Sequence, residues 1–192
     1  MPSRVDVYPP QAATSQYYVV CTSSTRPAAP LVGQTIFETD TGRLLVWKGA
    51  AWKLVTPEMD GVTFTTQTGP SAGNSMTLGT LTMSKSYVGL PVVVRGVANG
   101  WVLDTVSTGP VDHTVWLEVS TNGGSSWIAA PGIVDTTNAS IAKFRGTWAV
   151  QLMQAATPTG TVQVRLRCSQ AGGSVPAKAF YDNVLIVEVL GT

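Results

Sequence analysis

The sequence predicts an all-β chain: an antiparallel β-sandwich of jelly-roll type, preceded by an extended N-terminal arm and a small β-meander. Three observations predict it. Val and Thr are the commonest residues, and β-branched side chains suit a pleated surface better than a helix. Gly (19) and Pro (12) recur as punctuation between short β-prone runs, at the spacing of roughly 8–12 residues seen in sandwiches. No stretch has convincing helical periodicity, and residues 135–144 have room for a single turn at most. A length of 192 residues suits one domain with a smaller appendage.

Residues 1–30 form the arm. Pro2, Pro9, Pro10, Pro27 and Pro30 fix φ and remove backbone donors, so regular structure throughout is not expected. Its β-prone run, 16–22, is expected to lie along a neighbouring subunit or another protein, anchored by Tyr17 and Tyr18. Residues 31–56 read as a three-stranded meander. Its strands are Gln34–Glu38, Arg43–Lys48 and Ala51–Val55, joined by Thr39-Asp40-Thr41-Gly42 and Gly49-Ala50, both good turn chemistry. So small a unit cannot bury Phe37, Trp47 and Trp52 alone. They are expected at a contact between copies, around a three-fold axis. Thr56–Gly61 reads as a linker.

Residues 62–192 are the sandwich. About eight strands are expected from nine candidates: 62–66, 75–83, 88–97, 101–106, 113–120, 126–129, 144–153, 160–169 and 179–190. Turns are placed at Thr68-Gly-Pro, Asn99-Gly100, Thr108-Gly-Pro, Asn122-Gly-Gly, Pro131-Gly, Pro158-Thr-Gly and Gly172-Gly173. Alternation sorts the faces. Val162, Val164, Leu166 and Cys168 point one way; Gln163, Arg165 and Arg167 point the other. Val115, Leu117 and Val119 likewise oppose Trp116 and Glu118. The expected core is Val162, Val164, Leu166, Val115, Leu117, Trp148 and Leu185.

Composition excludes several functions. A net charge of +1 with 12% charged residues gives no electrostatic footprint for nucleic acid. One His and two Cys are too few for a zinc finger or a disulfide scaffold. Cys21 and Cys168 are expected to be buried or idle thiols, with a bridge between them as the alternative. The segment MPSRVDVYPPQ lacks an apolar core, so no secretory signal is expected. The longest apolar run, Val184–Leu190, is too short to insert in a membrane. His113 has no nucleophile and acid arranged around it by any recognised motif, and the 11 acids are scattered. No enzyme is expected, although a small polysaccharide hydrolase would need only a carboxylate pair across a cleft.

Two motifs have a physical reading. Ser120-Thr-Asn122-Gly-Gly124-Ser-Ser-Trp127 resembles an Asp-box with Asn in the Asp place. Asn bonds its own turn, Gly takes positive φ, and Trp folds under the hairpin. Phe180-Tyr-Asp182-Asn183 opens an apolar strand and resembles the last strand of galactose-binding-like modules. There an acid often holds a structural calcium, a role that would fall to Asp182, with oxygen partners not identifiable from sequence. No other cofactor is expected. Exposed Trp101 and Trp116 would offer flat platforms to a sugar, so the alternative function is a carbohydrate-binding module gripping host glycans.

Cys21-Thr-Ser-Ser-Thr-Arg-Pro27, Gly33-Gln-Thr-Ile-Phe-Glu-Thr-Asp-Thr-Gly42 and Leu45-Val-Trp-Lys-Gly-Ala-Ala-Trp52 together resemble a recurrent element of tailed-bacteriophage virion proteins. It occurs in minor tail proteins, fibre segments and other appendages. The resemblance covers about a sixth of the chain. It implies a non-enzymatic virion protein on the outside of a tail or capsid, made in the host bacterial cytoplasm. Its implied partners are its own copies, as a homotrimer, and other virion proteins such as the tail or major capsid.

Overall fold

The computed structural model describes residues 18–70, 73–103, 111–129, 135–139, 145–171 and 179–192. The chain divides into two compact units, with the boundary between Val55 and Thr56. The expected linker starts at that boundary, and its residues from Glu58 onward belong to a strand. Glu58–Asp60 open a strand that pairs with the last strand of the chain. Residues 1–17, including Tyr17, lie outside the described residues.

The first unit is a four-stranded sheet in the order β1 (Tyr18–Cys21), β2 (Thr35–Glu38), β3 (Arg43–Trp47) and β4 (Trp52–Leu54). The three later strands form the expected antiparallel meander. β1 is the difference. Expected to pair with a neighbour, it instead adds parallel to β2, with Val19 opposite Ile36 and Cys21 opposite Glu38. Parallel neighbours need a crossover of about a dozen residues, and the proline-rich stretch from Thr22 to Gln34 provides it. Ile36, Leu45, Trp52 and Leu54 are buried here.

The second unit packs two sheets. One runs β12 (Arg145–Ala156), β8 (Val92–Leu103), β14 (Ala179–Gly191), β5 (Glu58–Phe64), with β6 (Gln67–Thr68) also on β14. The other runs β10 (Ile128–Ala129), β9 (Val111–Ser120), β13 (Gln163–Ala171), β7 (Ser75–Thr82), with β11 (Asp135–Ala139) also on β9. Every pairing is antiparallel. Taking the eight principal strands in chain order, the first, eighth, third and sixth face the second, seventh, fourth and fifth. That is the jelly-roll order, two interlocked Greek keys.

The core lies between the sheets and follows the alternation. Val115, Leu117, Trp148, Val162, Val164, Leu166 and Leu185 are all buried, joined by Val94, Val150, Leu152, Phe180 and Val187. Two local expectations need correction. Residues 135–139 form strand β11 rather than a helical turn. Asn99-Gly100 is not a turn, because β8 runs straight through it. Gly100 is needed there for close approach: a Cβ would sit 2.6 Å from the Trp148 ring and 2.8 Å from Asn183 Oδ1.

Candidate interaction surfaces

The phage-like element of the first unit is consumed in building it. The Glu38 side chain is fully buried. It accepts from Arg26 Nε and, at 2.7 Å, from the Thr41 hydroxyl. Asp40 receives the Ser23 amide at 2.9 Å and the Ser23 hydroxyl at 2.6 Å, bonds that hold its carboxyl below the ordinary range. Gln34 Oε1 receives the Leu31 amide at 3.0 Å, and Thr22 and Thr25 close a small turn. Gly42, at φ +67°, turns β2 into β3. Trp52, expected at a contact between copies, is buried within the chain, and Phe37 and Trp47 are half-buried. Trp47 and Trp52 pack on each other, 5.4 Å apart and tilted by 60°. The expectation that the unit buries none of them alone is corrected for Trp52, while Phe37 and Trp47 keep part of their surface open. What the unit leaves exposed is Tyr18, Val20, Leu31, Val32 and Val55.

On the sandwich, the outer face of the β9–β13–β7 sheet carries a ladder of aromatic and cationic groups. β9 and β13 set Trp116 opposite Arg167 and Glu118 opposite Arg165. The Arg165 guanidinium lies 4.0 Å from the Trp127 ring centre, and that of Arg167 lies 5.5 Å from the Trp116 ring centre. Glu118 accepts from the Trp116 indole at 2.9 Å and from Arg165 Nε at 2.6 Å. Partial burial pushes the Glu118 carboxyl up. The indole N–H and the two guanidiniums outweigh this and hold it below its ordinary value. Trp116, offered by the sequence as a sugar platform, is half-buried, with a guanidinium near one ring face and its N–H bonded to Glu118.

The Asp-box hairpin below this ladder is built as its chemistry requires. Asn122 Oδ1 accepts from the Ser120 hydroxyl at 2.8 Å and the Ser126 amide at 3.0 Å. Ser120 Oγ accepts the Gly124 amide at 2.8 Å. Gly123 and Gly124 have φ of +72° and +87°. The box fixes a turn and places Trp127 under Arg165.

The third neighbourhood joins two residues that the sequence offered separately. Between Tyr181 and Val184 the register of β14 slips against β8. Asp182 sits in this bulge at φ +49°, a conformation Asp tolerates better than most residues. Its Oδ2 accepts the Trp101 indole N–H at 2.8 Å. Trp101 stacks on Tyr181, centroids 4.3 Å apart and 11° from parallel. Among the described residues no group of three or more His, Cys, Asp or Glu side chains could hold a metal. The bulge turns Asn183 inward, fully buried, with neither amide atom hydrogen-bonded.

Sequence reasoning missed Tyr181 as the partner of Trp101, and it missed Glu118, Arg165 and Arg167 as a group. Their faces were readable from alternation. The register that makes them neighbours was not.

No family model matches the chain, and no curated protein matches it. Among solved structures it is similar to FLHE, at 17% identity over 69% of this chain and 95% of that one, TM-score 0.34. It is also similar to the structure of infectious bursal disease virus, Gt strain, at 14% identity over 79% of this chain and 40% of that one, TM-score 0.39. A third is the VP2 subviral particle of infectious bursal disease virus, at 10% identity over 85% and 45%, TM-score 0.38. The chain spans less than half the length of these two viral chains.

Proposed function

We propose that this chain is a non-enzymatic structural protein of a bacteriophage virion, an exterior appendage of the tail or capsid. The phage-like element of residues 21–52 and the jelly roll support this. The observation that carries it is in the first unit. A sheet whose polar motif is spent internally leaves Tyr18 and Val20 exposed on β1. Among the described residues β1 pairs only with β2 and has one open side. Leu31 and Val32 are exposed on the same unit. A self-contained module with an open strand edge and exposed apolar side chains suits docking onto copies of itself, in threes as the resemblance implies, or onto another virion protein. Partner strands would supply backbone hydrogen bonds, and Tyr18 and Val20 the specificity.

The test is particle-resolved imaging of virions carrying the wild-type chain and Tyr18→Lys/Val20→Lys. Both positions are exposed, so the fold is kept. Wild-type density on the particle exterior and its loss in the variant are expected. Absence of the wild-type chain from particles, or full incorporation of the variant, would overturn the proposal.

One observation favours a second role, recognition of host glycans. Trp101, Tyr181 and the exposed Asp182 place stacked rings and a carboxylate together at one end of β8 and β14. Titration with host wall polysaccharide, followed by indole fluorescence of wild type and Tyr181→Ala, separates it from a purely structural role. Saturable quenching lost in the variant supports it, and no response rejects it.

A further inference from the structure

β12 is the edge of its sheet. It pairs with β8 along its whole length without a register shift, and among the described residues no strand pairs with its other side. At 12 residues it is about twice the usual strand length. Proteins normally blunt so long an edge with charge, proline or a bulge. From Gly146 to Ala156 there is no Lys, Arg, Asp, Glu or Pro. Trp148, Val150 and Leu152 point into the core. Thr147, Ala149, Gln151, Met153 and Ala155 point outward and are exposed. Among the described residues, the carbonyl of Ala155 accepts from Gln154 Nε2 at 2.8 Å.

The outer face beside this edge is equally poor in charge. Register sets Met153, Arg95, Glu188 and Met59 in one row, and Gln151, Val97, Ile186 and Gly61 in the next. Met153, Met59, Ile186 and Val97 are exposed. The charges in these rows form a single pair, Arg95 and Glu188, 3.6 Å apart. A groove of about 330 Å³, lined in part by Arg95, Gln151, Met153 and Leu190, runs next to the edge.

We propose that β12 pairs antiparallel with β12 of a second copy, joining two β12–β8–β14–β5 sheets into one continuous sheet. A strand edge is its own complement under a two-fold axis, since antiparallel pairing of identical strands satisfies both edges at once. Beyond Arg145, which opens the strand, the edge offers no cation or anion for a charged partner to read. It also offers no like charges to repel a copy of itself. The flanking Arg95–Glu188 pair is neutral as a set and remains so when doubled. β12 belongs to the second unit, whereas Tyr18 and Val20, on which the virion reading rests, belong to the first, so the two proposals can fail separately.

The test uses the full chain with Cys21→Ser, leaving Cys168, whose buried thiol is pushed up to about 12. Ala149, Gln151 and Met153 are each changed to Cys, with Thr63→Cys on the opposite edge strand as control. Under mild oxidation at least one β12 variant gives a disulfide-linked dimer on a non-reducing gel, and the control gives none. In the wild-type background, Ala149→Lys/Met153→Lys places like charges across the seam. By sedimentation equilibrium its dimer dissociation constant rises about tenfold or more, with an unchanged circular dichroism spectrum. A wild-type chain monomeric at micromolar concentration overturns the proposal. So does association that the lysines leave intact and that Tyr18→Lys/Val20→Lys abolishes.

Discussion

Replacing Arg26 by Ala tests whether the first unit is built around its buried carboxylate. Glu38 is fully buried, and Arg26 and the Thr41 hydroxyl both donate to it. Removing one partner of a buried pair costs about 3–5 kcal/mol, because the remaining charge stays desolvated. The Arg26 side chain is 26% exposed, and water therefore screens part of the attraction. A cost of about 2–3 kcal/mol is the better figure. Thr41→Val removes a single hydrogen bond to the carboxylate and costs less, about 1–2 kcal/mol. A unit of this size has only a few kcal/mol to lose, so Arg26→Ala brings it close to its unfolding midpoint. Hydrogen exchange read by mass spectrometry is the assay, with β13 in the sandwich as internal reference. Amides of residues 35–54 should exchange about 30- to 150-fold faster, the equivalent of 2–3 kcal/mol of opening free energy. β13 should not change. Unaltered protection in 35–54, or a larger effect from Thr41→Val, would refute the reasoning.

Two further outcomes follow from the sandwich. The carboxyl of Glu118 is held below its ordinary value of 4.5. Its contribution is complete above that value and is lost as pH falls through the lowered one. Glu118→Gln should flatten the acid limb of a stability-against-pH curve below about pH 4.5, and an unchanged limb would show that the ladder carries no linkage. The Cys168 thiol, pushed up to about 12 mainly by burial, should resist alkylation at pH 8 in the native chain and react only on unfolding. Stoichiometric labelling without denaturant would contradict its placement.

The jelly roll was legible because its strands obey a period of two over long runs. Val162, Val164, Leu166 and Cys168 alternate with Gln163, Arg165 and Arg167, and the structure buries the first set. Two kinds of feature were not legible. One is a residue whose local chemistry suits two uses. Asn99-Gly100 is a good hairpin turn, yet here the glycine admits the Trp148 ring under a continuous strand. Local sequence cannot tell a glycine that turns the chain from one that lets another side chain approach. The other is anything created by register. Glu118 meets Arg165, and Trp101 meets Asp182, only because particular residues of distant strands come opposite each other. The parallel addition of β1 belongs to this class, since the partner lies beyond a proline-rich crossover with no period of its own.

That distinction bears on what the phage-like element can mean. Ser23, Arg26, Gln34, Glu38, Asp40 and Thr41 spend their side-chain hydrogen bonds on one another and on the local backbone. Such a motif specifies a fold, and its polar groups are already occupied before any partner arrives. Two chains sharing it would share a small sheet with an open edge strand, and nothing in the motif would oblige them to dock in the same place. Under the proposed virion role, the choice of partner would fall to exposed residues outside the polar set: Tyr18 and Val20 on β1, and Leu31 and Val32 in the crossover. Exchanging those four between two proteins that carry the element should exchange their attachment sites. Exchanging Arg26, Glu38 or Asp40 should only cost stability.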